Sequence, residues 1–330
     1  MTFCLHDPEA GYYATRPALG ADGDFITAPE TSQMFGELIG LWCAQSWLDM
    51  GSPDAFTLIE CGPGRGLMMA DALRAARALP AFEAAARVLL VEPSVRLRAA
   101  QAETLGDRVA WIARIEDAPA GPAIVLGNEF LDCLPIRQCI RTESGWRERL
   151  VGAGEDGGLA FGLAPAAAPE ALIPAALRDA PIGSVAEQCA ALESIVAALA
   201  ARGGPLRALF IDYGSAETTG GNTFQAVRAH ASADPLDDPG GADLTAHVDF
   251  PRLAALARAA GLDVTSPIAQ GDFLRALGIE ARAAALAQAR PGKGDVIQRQ
   301  LQRLIAPEQM GGLFRAICLS SPGLPQPAAF

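Results

Sequence analysis

An apolar run, Phe56–Cys61, stops at Gly62-Pro63-Gly64-Arg65-Gly66 and gives way to a helix-forming stretch that reaches about Leu79. The alternation then repeats. A second apolar run over 87–91 ends at Glu92-Pro93 and leads into a helix near Val95–Leu105, and strand candidates follow at Val109–Ile112 and 123–127. Continuously apolar strands separated by helices are the pattern of strands buried on both faces. The expected fold class is therefore α/β, a mostly parallel, doubly wound sheet covered on both sides by helices.

The flanks fit around this unit. Residues 1–28 are rich in Gly, Pro and aromatics and read as irregular, with a turn at Asp22-Gly23-Asp24. Over 29–50, Met34, Phe35, Leu38, Ile39, Trp42 and Trp47 recur at helical spacing and predict a helix ending at Gly51. Trp42, Trp47 and Trp111 read as core. Residues 136–150 look like amphipathic strands, 151–183 are Gly/Pro/Ala-rich, and 184–202 predict a helix with Ser184 as its N-cap. A buried strand over 206–211 ends at Asp212-Tyr213-Gly214. Helices are expected over 250–260, 272–288 and 295–305, an extended piece over 262–266, and a last strand over 313–319. The Pro-rich tail 322–330 is expected to fray. This gives one domain over 1–330: an N-terminal cap and helix (1–55), a cofactor half (56–135), an insertion (136–205) and a C-terminal half of the sheet (206–330).

Composition limits the partners. Half of the 330 residues are hydrophobic, enough for a large core, and 26 basic against 38 acidic residues leave a net charge of −12. Such a surface repels phosphate backbones, so nucleic acid is not an expected partner, whereas an arginine-bearing protein segment would be attracted. Seven cysteines lie mostly in apolar runs with no C-x-x-C pair, reading as core thiols with no zinc site. The start has no signal-peptide pattern and no apolar run is long enough for a membrane span, so a cytoplasmic, bacterial protein is expected. Oligomeric state is not legible.

The chemistry sits at the ends of the strands. Glycines let a chain turn tightly and let a ligand approach the backbone. A dinucleotide loop needs Gly-x-Gly-x-x-Gly, and here Leu67 occupies the place of its third glycine. Glu60, just before the turn, sits badly beside a pyrophosphate and suits a cationic ligand end. The α-ammonium group of S-adenosylmethionine (SAM) is such an end. Glu92 closes the second strand, where a carboxylate accepts hydrogen bonds from ribose hydroxyls. Glu60, Gly62, Pro63, Gly64, Gly66 and Glu92 are thus the candidate cofactor residues. The bland alternative is an ordinary tight turn with surface acids.

On the acceptor side, Asn128 and Glu129 follow the fourth strand, with Asp132 close behind, and Asp212 follows the next buried strand. Ligands of doubly wound sheets bind beyond the carboxyl ends of strands, which puts Asn128 beside the cofactor. An arginine acceptor is planar, charged and rich in donors, so carboxylates would clamp it. Glu129, Asp132 and Asp212 are the candidates, and capping a helix or closing a turn is the structural alternative for each. His247 is a weaker candidate, as base or substrate contact.

These motifs, in this order, resemble the MidA-like methyltransferase family, which includes a mitochondrial respiratory complex I assembly factor. The stretches that carry the resemblance run from Asp7-Pro8-Glu9-Ala10-Gly11-Tyr12-Tyr13 through Gly23–Glu37, the glycine loop, 128–135 and 211–214 to 242–250. Cys61, Leu67 and Gly127 depart from the usual Leu, Thr and Ala, and the family's helix ahead of Asp7 is not seen. The resemblance implies a class I (Rossmann-like) SAM-dependent methyltransferase with inserted elements. It also implies S-adenosylhomocysteine (SAH) as product and symmetric dimethylation of arginine on a complex I subunit. It further implies that Thr27, Gln33 and Glu37 line or cap the cofactor pocket. Left open are a small-molecule acceptor, a SAM-binding assembly chaperone and, against the glycine spacing, a nicotinamide-linked dehydrogenase.

Overall fold

The computed structural model describes residues 1–16 and 27–330. The turn expected at Asp22-Gly23-Asp24 lies outside them. The N-terminal stretch, expected to be irregular, forms two short helices, α1 (Thr2–His6) and α2 (Tyr12–Thr15). The single helix expected over 29–50 is two, α3 (Ala28–Thr31) and α4 (Gln33–Asp49). They part at Ser32, whose side chain accepts the Met34 N–H and starts α4 afresh.

The cofactor half runs β1 (Phe56–Cys61), α5 (Leu67–Ala76), α6 (Pro80–Ala85), β2 (Ala86–Val91), α7 (Val95–Leu105), β3 (Val109–Ile112) and β4 (Ala123–Asn128). Helix α5, whose N-terminus meets the glycine loop, is seated by α4. A Cβ at Gly40 would lie 2.4 Å from the Ala72 carbonyl oxygen, so the two backbones touch where no side chain fits.

Next come β5 (Ile136–Thr142), β6 (Gly145–Ala153), β7 (Leu159–Ala167) and β8 (Val185–Cys189), an antiparallel sheet in the order β7-β6-β5-β8. Helix α8 (Ala191–Ala200) follows. The helix expected over 184–202 therefore starts late, and Ser184 is not its cap. Residues 185–189 pair with β5, and that cross-strand partner outweighs their helical pattern. Strand β7 lies in the Gly/Pro/Ala-rich stretch.

The chain returns through β9 (Leu206–Ser215) and the small strands β10 (Gln225–Arg228), β11 (Ala231–Ala233), β12 (Asp243–Thr245) and β13 (Val248–Asp249). It ends with α9 (Phe250–Ala259), β14 (Asp263–Val264), β15 (Ile268–Ala269), α10 (Gln270–Ala276), α11 (Ile279–Ala289), α12 (Gly294–Ile305), α13 (Met310–Leu313) and β16 (Phe314–Ser320). The helix expected over 272–288 is broken at Gly278, which turns with φ 89° between α10 and α11.

Among the described residues the main sheet has the order β14-β16-β9-β4-β1-β2-β3. Strands β1 to β4 and β9 run parallel, and β16 is antiparallel to β9. One core packs α4, α5 and α10–α12 on one face; the other packs α8 and α9 on the opposite face. This is the doubly wound α/β arrangement expected. Strand β1 has β2 on one side and β4 on the other, so connections leave in opposite directions there and a crevice opens at the strands' carboxyl ends.

The tail does not fray. Trp42 Nε1 donates to the Ala328 carbonyl at 3.2 Å, and Phe330 packs on Phe273 with ring centroids 5.3 Å apart. A Pro-rich end with an aromatic terminus finds an apolar groove between α4 and α10, and burial holds it. Trp42 and Trp47 are buried as expected, while Trp111 is partly buried.

Candidate active site

A cavity of about 730 Å³ opens at the carboxyl ends of β1, β2 and β4, within the range of small-ligand sites. Its floor is the turn after β1, where Gly62, Gly64 and Gly66 have φ of 63°, 54° and 80°. This left-handed run bends the chain back under the crevice, and Gly66 is the N-cap from which α5 starts. Glu60, Gly62, Pro63 and Gly64 line the cavity; Gly66 does not. Glu60 is fully buried, its Oε2 has no hydrogen-bond partner, and burial raises its pKa to about 8. A buried carboxylate oxygen without a partner is a vacancy for a donor or a cation.

Glu92 is held from two sides. The Ser94 N–H donates to its Oε1 at 2.8 Å and Gln101 Nε2 to its Oε2 at 3.2 Å. Gln101 Nε2 also donates to the Gly64 carbonyl at 2.7 Å, and Gln101 Oε1 accepts from Trp111 Nε1 at 2.8 Å. One buried glutamine thus ties the glycine turn, the β2 acid and β3 into a single frame. Burial raises the Glu92 pKa to about 7 against these bonds. Each of its oxygens keeps acceptor capacity for a ribose hydroxyl.

On the β4 side, Asn128 Nδ2 and the Ala28 N–H both donate to Glu129 Oε1 at 2.9 Å. Asn128 Oδ1 is buried without a partner. Glu129 has φ 50°, a left-handed conformation a glutamate rarely adopts, and burial raises its pKa to about 7. Strain of this sort, in a residue facing a cavity, marks functional positions.

The other expected residues divide. Thr27 lines the cavity. Gln33 does not: its amide donates to Glu37 Oε1 at 3.0 Å, and Glu37 is further held by Arg74 and Arg282. Glu37 ties α4 to α5 and α11, and Gln33 braces it within α4. Asp212 is also corrected. Its Oδ2 accepts the N–H groups of Phe130, Leu131 and Asp132 at 3.0, 2.8 and 3.3 Å, and Oδ1 that of Tyr213 at 2.9 Å. It folds the turn that presents Glu129 and is not among the residues lining this cavity, so it supports the site from behind instead of clamping an acceptor. Asp132 lies behind the cavity wall too, its pKa raised by burial and then by Asp212 and Asp243. His247 donates its N–H to Thr223 and packs edge-on against Tyr213, a structural placement.

Several lining residues carried no sequence prediction. Leu5, His6 and Tyr13 come from the N-terminal helices, and Ala113 to Glu116 from the turn after β3. Tyr13 closes the first of the stretches that carry the resemblance, which gives it no role. The signal was there; the contact was not.

Among the lining acids, Glu30 and Glu116 have arginine partners, Arg65 and Arg114, at 3.5 Å. Glu60, Glu92 and Glu129 have no salt bridge among the described residues. An anionic pyrophosphate would be repelled here, whereas a cationic amino acid joined to a ribose fits: Glu60 for the ammonium, Glu92 for the sugar. Residues 38–268 match the family described as "Putative S-adenosyl-L-methionine-dependent methyltransferase". The chain belongs to this family. It is 37% identical to the mitochondrial protein arginine methyltransferase NDUFAF7 of Danio rerio, over 96% of this chain and 81% of that one. With the Homo sapiens NDUFAF7 protein it shares 35% identity, over 97% and 78%. A crystal structure of a superfamily member from Burkholderia thailandensis, bound to S-adenosyl-homocysteine, superposes with a TM-score of 0.86 at 30% identity, covering 99% of this chain and 88% of that chain. This methyltransferase thus has the class I fold and uses SAM. One expectation is overturned: the curated relatives are mitochondrial proteins, against a cytoplasmic, bacterial one. Acidity and reduced thiols suit any reducing aqueous compartment, and a folded domain does not display its address.

Proposed function

We propose that this methyltransferase is a protein arginine N-methyltransferase that dimethylates arginine symmetrically on a respiratory complex I subunit during assembly. The observation that carries the reading is the acceptor end of the cavity. There Asn128 and Glu129 are locked to each other and offer acceptor atoms with no cationic partner at hydrogen-bond distance among the described residues, Arg303 acting on Glu129 only through its field. A guanidinium supplies five N–H donors in one plane, so acceptors fixed in a rigid pair can orient it. The names of the curated relatives support arginine as the acceptor.

When bound, SAM supplies a methyl group on a sulfonium; transfer forms an N–C bond, breaks an S–C bond and releases one proton. The chain's own work is to hold and aim. Glu60 and the glycine turn are proposed to seat the amino-acid end, with Glu92 on the ribose, Thr27 at the wall, and Asn128 and Glu129 on the guanidinium. Positioning of this kind supplies about 7–11 kcal/mol of a transfer barrier when the attack geometry is good. Incubating the protein with methyl-labelled SAM and recombinant complex I subunits tests the proposal. Label on an arginine of one subunit is expected. SAM binding with label on no subunit would remove the substrate claim.

A further inference from the structure

Tyr13 bridges the two halves of the cavity. Its carbonyl accepts the Ser94 hydroxyl at 3.0 Å, next to the loop that holds Glu92, while its own hydroxyl donates to Asp243 Oδ1 at 3.0 Å. The ring is fixed by stacking on His6, centroids 5.6 Å apart, and by the edge of Tyr12 at 5.2 Å. Asp243, at the start of β12, acts electrostatically on Asp132 and Glu129, and the Ala246 N–H just past β12 donates to the Asp132 carbonyl at 3.0 Å, so Tyr13 reaches towards the acidic end of the cavity. Burial first, then Asp243 and Asp132, keep the phenol protonated.

Resting on the arginine reading above, we propose that Tyr13 binds the acceptor guanidinium and that Asp243 is its positioning residue. A phenol has one proton to give. Tyr13 lines the cavity, and because Asp243 takes its proton, the lone pairs of its hydroxyl oxygen are left as acceptors. Asn128 Oδ1 is a second neutral acceptor, buried without a partner, and Glu129 supplies the charge. Two neutral acceptors beside one carboxylate favour a planar cation with several donors over a compact ammonium. Asp243, which takes the phenol's hydrogen bond, adds an attractive field without consuming a donor of the ligand.

Methylguanidinium and methylammonium are the probes, titrated by calorimetry into SAH-saturated protein. Wild type should bind methylguanidinium more tightly. Tyr13→Phe should weaken that affinity about 10-fold, a charged hydrogen bond's worth, with methylammonium and SAH affinities changed less than about twofold. Asp243→Asn should weaken methylguanidinium about threefold through the loosened phenol. A purely structural Tyr13 would shift both probes together, and that result overturns the proposal, as does wild-type guanidinium affinity in Tyr13→Phe. If Tyr13→Phe fails to hold SAH, Asp243→Asn decides by the same ratio. Wild type that holds SAH but no methylguanidinium would sink the arginine reading itself, and this inference with it.

Discussion

Gly64 and Asp212 show how differently two residues of one site can act. Gly64 turns with φ 54° on the cavity floor. Valine there meets the left-handed penalty of about 1–2 kcal/mol and pushes methyl groups to where the ligand must lie. Gly64→Val is expected to weaken SAH binding at least about 100-fold while the protein stays folded; calorimetry showing an unchanged Kd would contradict the proposed seat. Asp212 acts through backbone only. Asp212→Asn exchanges one of its two accepting oxygens for a donor facing N–H groups, and charged hydrogen bonds contribute about 1.5–3 kcal/mol each. Urea denaturation should show a loss of about 3 kcal/mol; a variant as stable as wild type would mean the 130–132 turn has another anchor.

The C-terminal tail has the composition of a linker and yet is packed. Its contacts are long-range: Trp42 to Ala328, Phe273 to Phe330, and the buried Arg207 guanidinium to the Pro325 carbonyl. Deleting residues 326–330 uncovers Trp42 and strips Phe273 of its aromatic neighbour. A loss of about 3 kcal/mol and a red-shifted tryptophan emission are expected, the cost typical of emptying an aromatic site. A frayed tail would give neither. Strand β8 makes the same point, since residues 185–189 are strand only because β5 is there to pair with.

Across the molecule, Glu60, at about 8, and Glu92, Glu129 and Asp212, at about 7, all carry raised pKa values, with burial as the largest cause. At these four carboxyls the folded state therefore binds more protons than the unfolded chain between pH 4.5 and 8, outweighing the opposite effect of His6 and His247, whose pKa values burial lowers. Stability must fall as pH rises through that window, the reverse of the usual salt-bridged carboxylate. Thermal melts of ligand-free protein are expected to drop from pH 5 to 8. SAM, a cation, favours the ionised acids, so its stabilising shift should be larger at pH 8 than at pH 6. A shift independent of pH would mean that Glu60, Glu92 and Glu129 do not face the ligand.

Read without coordinates, the chain already declares a strand, a glycine turn and a helix, with acids at 60, 92 and 129 closing three strand ends. Those features are local: a run of apolar residues, a left-handed turn and a neighbouring carboxylate depend on positions within a few residues of each other. Which acids meet the cavity and which hold it up is not local. Asp212 caps backbone 80 to 82 residues away, Tyr13 reaches Asp243 across 230, and Glu37 meets Arg282 across 245. Only the packed chain chooses among these partners, since a buried polar group goes to whichever donor or acceptor the fold brings within 3 Å.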